Sequence, residues 1–276
     1  MTGAAAGREP STRTRTRLSG RYQRTTGGSR SLERGLDLLR AFRLGTGVLT
    51  NAELAARTGL PRPTVSRLTR SLVEGGFLAY DHGEGGYRLG AVHLSLALSF
   101  RTAQVALDMA LPLMRELAQG CHVNVGLAVL DRTEMVYLDS VRPEQPGIAR
   151  RAAPGTRTPV ARTALDMAYL SSLPPVERRA LLKRLAHEHP TDWPAVQEGI
   201  EASLRNVRRV GYCWAQWQPR IFSVATPMMR ATGEHYALNI SLAMDDHPAE
   251  DLIEPHGASL LALKRRIVER WESNTA

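Results

Sequence analysis

Residues 31–90 read SLERGLDLLRAFRLGTGVLTNAELAARTGLPRPTVSRLTRSLVEGGFLAYDHGEGGYRLG, and this stretch decides the fold of the first part of the chain. Ser31 stands where a cap would start a first helix. Its Leu32, Leu36, Leu39 and Phe42 recur at helical spacing and predict one buried stripe. Thr50 and Glu53 have capping-box spacing ahead of a second helix over 51–57. Gly59 tolerates the left-handed conformation that ends such a helix. Pro61 and Pro63 fall at the start of a third helix, where a missing N–H costs little. Val65, Leu68 and Leu72 face inward on it, and Gly75 and Gly76 stop it. Strands over 77–80 and 86–89 flank the tip Asp-His-Gly-Glu-Gly, whose turn residues suit a hairpin. The order is that of a winged helix-turn-helix, in which a short second helix and a tight turn present the third helix to a DNA major groove.

The inward stripe of the third helix leaves Arg62, Pro63, Thr64, Ser66, Arg67 and Arg70 on its outer side. A guanidinium holds a guanine edge with two hydrogen bonds, or a phosphate by charge. The N-terminal half of a recognition helix reaches the bases. Arg62, Thr64 and Ser66, with Pro63 between them, are therefore expected at or near base edges. Arg67 and Arg70 are expected at phosphates, as is Arg88 beside the wing. The competing reading is a solvated helix face. Caps, turn, inward stripe and wing agree with one another, and that agreement favours DNA.

Charge points the same way. Of the formal net charge of +9, residues 1–30 carry +6, residues 31–90 carry +2 and residues 91–276 carry +1. The excess lies at the end that would meet an acidic partner. Residues 1–29 are rich in Gly, Ser, Thr and Arg without apolar period and read as a disordered basic tail. Such a tail serves as an arm on phosphate or as a solubilising leader. A length of 276 residues fits two domains. No apolar run reaches the length of a membrane span, so no membrane partner is expected. Cys121 and Cys213 alone make no disulfide framework and fit a reducing cytoplasm.

Beyond residue 90, an Ala- and Leu-rich helical pattern over 92–118 reads as a long linker helix, broken or kinked at Pro112. Strands are expected over 122–130, 134–141, 212–216, 221–229 and 236–243, with a short one over 148–152. Helices are expected over 160–172, 175–187, 195–210 and 248–272. The whole is an α+β chain. A tail over 1–29 and a winged helix over 30–91 precede the linker, and a sheet domain over 119–276 follows it.

The same residues resemble the IclR family of bacterial transcriptional regulators over nearly everything after residue 30. SLERGLDLLRAF, LAARTGLPRPTVSRLTRSLVEGGFL and YRLG resemble its helices and wing exit. PGTRTPVARTALDMAYLSSLP resembles its Gly-x-x-x-Pro loop and the helix after it. GYCWAQWQPRIFSVATPM and YALNISLA resemble its later sheet segments. The resemblance implies a C-terminal mixed α/β, GAF- or PAS-like domain that binds a small, carboxylate-bearing effector. It also implies dimers or tetramers on palindromic double-stranded promoter DNA, acting as repressor, activator or both. On matching positions, Ala161, Arg162 and Thr163 line the loop and helix start. Cys213, Trp217, Ser223, Asn239 and Ser241 come from the later strands. The amides at that helix start offer an anion site. Arg162 is either a carboxylate partner or a solvated side chain. The chain departs from the family at Asp166, where a Gly is common, and in the acid-free segment 213–218.

A competing class is an enzyme or metabolite-binding protein with a nonspecific DNA-docking domain. His187-Glu188-His189 lacks HExxH spacing and reads as a helix end. Cys121 and His122 are adjacent, which on a strand sends them to opposite faces. With no Gly-rich phosphate loop, GxSxG or acid pair, neither an enzyme nor a cofactor is expected.

Overall fold

The computed structural model describes residues 28–143, 153–160, 162–188, 191–218, 220–244 and 248–274. The basic tail over 1–27 and the strand expected over 148–152 lie outside them. Three helices open the chain: α1 (Arg30–Arg40), α2 (Asn51–Thr58) and α3 (Arg62–Glu74). A hairpin of β1 (Leu78–Asp81) and β2 (Gly86–Leu89) follows as the wing. The box ahead of α2 is made: the Thr50 amide donates to Glu53 Oε2 at 2.8 Å, and the Glu53 amide to Thr50 Oγ1 at 3.3 Å. Gly59 ends α2 at φ 69°. The wing tip is set by Asp81, whose Oδ1 accepts from the Gly83 and Glu84 amides at 3.0 and 3.1 Å.

Two expectations for α1 are corrected. Ser29 caps it rather than Ser31, accepting from the Leu32 amide. Leu38 fills the three-helix core with Leu49, Leu54 and Val65, while Leu32 and Leu36 are 62% and 45% exposed. Both stripes repeat at helical spacing, so periodicity alone does not choose between them.

The linker also differs. The 92–118 segment is two helices, α4 (Val92–Thr102) and α5 (Val105–Cys121), parted at Ala103 and Gln104. Pro112 lies inside α5 without ending it. Leu107 and Ala110 before it, and Leu113 and Met114 after it, are buried in one core. That burial holds both halves in line and offsets the lost backbone bond. α5 thus belongs to the sheet domain, and α4 alone spans the gap.

The sheet domain adds β3 (Asn124–Asp131), β4 (Glu134–Val141), β5 (Arg157–Pro159), α6 (Ala164–Ser172), α7 (Pro175–Glu188), α8 (Trp193–Val210), β6 (Cys213–Gln218), β7 (Ile221–Met229), β8 (His235–Ala243) and α9 (Ala249–Ser273). The six strands lie in the order β5-β4-β3-β8-β7-β6, every neighbour antiparallel. β5, read from sequence as loop, pairs with the start of β4. Alternation gives the sheet two unlike faces. Val125, Leu127, Phe222, Val224, Leu238 and Ile240 pack with α5 and α9. The opposite face, with α6 to α8, carries Ala128, Cys213, Ala225 and Ala237. Gly126 belongs to this small face: a Cβ there would meet the Tyr137 ring and lie 2.6 Å from Asn239 Oδ1.

Gly126→Ala is expected to overfill this site and lower unfolding stability by about 1–3 kcal/mol. Equilibrium denaturation measures it; an unchanged midpoint would show that Tyr137 and Asn239 have room to yield.

Candidate DNA-reading face and effector face

α3 is bound to its domain by Val65 and Thr69, both fully buried. Sequence periodicity passed over Thr69, whose hydroxyl donates back to the Ser66 carbonyl at 3.1 Å and so needs no other partner. Arg62, Pro63, Ser66, Arg67 and Arg70 are exposed along the opposite side, and Thr64 is half-buried. None of the three arginines forms an ion pair with a described residue. Their guanidiniums stand free to meet an external anion. Arg88 is exposed on β2, with Asp81 Oδ2 at 3.9 Å across the wing. A row of cations on a helix held from behind is what a groove-reading helix requires.

The second candidate site lies where α6 crosses the small face of the sheet. Register places Cys213, Ala225, Asn239 and Gly126 opposite one another in one row. Ser223 and Ser241 form the next row on the same face. Of the residues expected to line an effector site, Thr163, Cys213, Ser223 and Asn239 are buried there, and Ser241 is half-buried. Ala161 and the side chain of Trp217 lie outside the described residues. The Arg162 side chain is 49% exposed and faces Asp192 Oδ2 at 3.4 Å, so it is not one of the buried polar groups.

Sequence reading missed the part Asp166 takes. Its carboxyl is fully buried. Oδ2 accepts from the Arg162 amide at 2.9 Å, and both oxygens accept from the Thr163 amide at 3.1 Å. The expected anion site at the start of α6 is therefore filled by the chain's own carboxylate. The signal was present, since Thr163-x-x-Asp166 has capping-box spacing.

The chemistry of the face follows from this charge. Burial pushes the Tyr137 hydroxyl up to about 12; the Asn239 amide opposes that rise and Asp166 adds to it. Burial, then Asp166, also raises the Cys213 thiol, which donates to the Ala164 carbonyl at 3.3 Å. Both groups are neutral at physiological pH, so Cys213 is no nucleophile. Asn239 Nδ2 donates to Ser223 Oγ at 3.3 Å, and Ser223 donates to the Ile240 carbonyl at 3.1 Å. Asn239 Oδ1 is buried with no hydrogen-bond partner among the described residues, whereas Thr163 Oγ1 faces the Asp166 amide in the capping box. Buried unsatisfied acceptors are costly and mark a place where a further donor would be welcome. The buried polar groups among the described residues include no Lys, Arg or His.

Comparison with known proteins identifies both domains. The IclR helix-turn-helix domain matches residues 31–82, and the bacterial transcriptional regulator IclR C-terminal domain matches residues 102–255. The HTH-type transcriptional regulator TsaQ1/TsaQ2 of Comamonas testosteroni is 33% identical over 194 residues, 69% of each chain. The crystal structure of an IclR family transcriptional regulator from Brucella abortus superposes with a TM-score of 0.78 at 33% identity, covering 87% of this chain and 91% of that one. An IclR homologue from Microbacterium hydrocarbonoxydans, solved with 4-hydroxybenzoate, shares the fold at a TM-score of 0.66 and 23% identity, covering 88% and 99%. These are regulators and not enzymes. The chain belongs to the IclR family of bacterial transcriptional regulators.

Proposed function

We propose that this regulator binds palindromic promoter DNA as a homodimer, or as a tetramer of such dimers, through the outer side of α3. A small metabolite held between α6 and the small face of the sheet would adjust that binding. The winged helix, α4 and the sheet domain with α5 as its first helix are the three working parts, and the cytoplasm is their expected place. The observation that carries the reading is the row of arginines on α3 with no ion-pair partner among the described residues, on a helix whose other side is locked in a core. Arg62, Pro63, Thr64 and Ser66 face base edges in this proposal, and Arg67, Arg70 and Arg88 face phosphate.

The exposure of α4 supports self-association. None of its residues is buried, and Leu94, Leu96, Leu98 and Phe100 are each more than half exposed. Four large apolar side chains in 11 residues make a surface that water disfavours. A second copy of the same helix is the partner that two-fold symmetric DNA calls for. Leu98→Glu is expected to shift the chain to monomer in sedimentation experiments. A variant that stays fully assembled would place the interface elsewhere.

Binding to a randomised duplex library in defined salt tests DNA reading. An enriched palindrome is expected. Arg62→Ala should lose about 1–3 kcal/mol of discrimination at one base position. Arg67→Ala should weaken all sites and reduce the salt slope by about one unit. If both folded variants keep the parent's selectivity and slope, α3 is not the reading face.

The effector face calls for a ligand that brings a hydrogen-bond donor to Asn239 Oδ1. A carboxylate on such a ligand would be met by the neutral donors of the face, because Asp166 already holds the helix amides and opposes a second negative charge. Asp166→Asn, which removes the charge and keeps an acceptor, is expected to tighten 4-hydroxybenzoate binding by about ten-fold. Asn239→Ala should weaken it. Calorimetric affinities unchanged in both folded variants would take this face out of effector binding.

A further inference from the structure

The winged helix and the sheet domain share no apolar cluster. One hydrophobic core lies among α1, α2 and α3, and the other two lie on either side of the large sheet. Charged side chains meet instead. Arg40 at the end of α1 pairs with both carboxylate oxygens of Asp131. Arg43 donates to Glu134 Oε2 at 2.8 Å. Arg157 of β5 holds the same two acids, giving Nη2 to Asp131 at 2.6 Å and Nε to Glu134 at 2.7 Å. Arg132 reaches the other way, to Asp37 Oδ1 on α1 at 2.6 Å. All the sheet-domain members but Arg157 stand at the turn from β3 to β4.

That turn is built for the contact. Arg132 has φ 60°, a left-handed conformation rare for a residue with a side chain. Glycine would sit there without strain, so the backbone cost is met by what the guanidinium does. Between the two units is an open cleft of about 430 Å³ lined by these residues other than Asp131, and by Arg57 and Thr58. The junction is therefore open and ionic, not packed by apolar side chains. Burial pushes the Asp131 and Glu134 carboxyls up, but hydrogen bonds from Arg40 and Arg43 respectively, and from Arg157, more than offset this. Both end below their ordinary values and are ionised at neutral pH.

We infer that Asp131, Glu134 and Arg157, with the Asp37–Arg132 pair as a second arm, are positioning residues for DNA binding: an ionic joint that fixes the angle of the winged helix on the sheet domain. A single half-exposed ion pair is weak. Here two acids each hold two guanidiniums, and Arg157 ties the acids together, so the pairs act as one network. Arg157 also places the joint in line with the effector face. It opens β5, and six residues on the chain reaches Thr163 at the start of α6. A shift of that start has a short, strand-paired route to Arg40 and Arg43.

The joint rests on the DNA-binding reading only for its consequence, so its test has a readout that needs no DNA. Nitroxide labels on the wing tip and on α8, through Glu84→Cys and Glu201→Cys in a Cys121→Ser background, report the distance within the full chain when diluted with unlabelled protein. A narrow distribution is expected in low salt, broadening at about 1 M salt, where the screening length falls to about 3 Å. Arg157→Ala should broaden it in low salt, and so should Asp37→Arg or Arg132→Asp alone. The double variant Asp37→Arg/Arg132→Asp should narrow it again, which simple misfolding would not do. Affinity for a library-selected duplex should fall by about five-fold in each single variant and recover in the double. Distances unchanged in the single variants, or a double as broad as they are, overturn the joint. Correct distances in a parent chain that selects no duplex would leave the joint standing and overturn DNA reading.

Discussion

The pairing of β3 with β8 is the constraint on which the sheet domain depends. β3 to β5 form one run of neighbouring strands and β6 to β8 another, and the contact of Val125 with Ile240 and Gly126 with Asn239 joins the two. Ordering so long a loop is costly in chain entropy, and the burial on both faces of β3 and β8 offsets it. The joined sheet then sorts its side chains by size. Bulky Val, Leu, Ile and Phe go to α5 and α9, where they supply the cohesion of the fold. On β3, β6, β7 and β8 the side crossed by α6 takes mostly Gly, Ala, Ser and Cys, and Met135 and Tyr137 of β4 are its large side chains. A ligand face needs this division of labour, because stability is drawn from the other side.

Charge is divided as sharply. α3 presents cations without partners, while the face beneath α6 holds one buried carboxyl and neutral donors. The first arrangement suits a polyanion whose attraction reaches far and falls with salt. The second suits a small molecule judged by hydrogen bonds at close range. Neither uses Cys213 as a reactive thiol, since it is kept protonated by the same burial that makes it part of the core.

Local rules made the winged helix legible. Thr50, Glu53, Gly59 and the two prolines each act within a few residues, so their consequences appear in the sequence at fixed spacing. Where three-dimensional context decides, the reading stopped short. Leu32 and Leu36 form as good a stripe as Leu38, and only the neighbouring helices choose. Pro112 looks like a break until the core on both sides of it is known. Arg162 has the chemistry of a carboxylate partner, yet its neighbour is Asp192. Asp166 was visible as a departure in charge. Its role in capping its own helix follows from the spacing Thr163-x-x-Asp166, the same as that of Thr50 and Glu53. The ionic joint was not legible at all, because Arg40 and Asp131 are 91 positions apart and nothing periodic links them.

α4 carries a consequence of its own. It is an 11-residue helix without a single buried residue. Helices of this length are marginal in water when nothing covers them. Its helicity is thus a conditional property, set by whatever lies against its Leu and Phe side chains. If a second copy is what covers it, as proposed, the link between the two halves stiffens with chain concentration: slack at high dilution, taut once covered. Under that proposal, a cell that makes more of the protein changes not only how many copies exist but how rigid each one is.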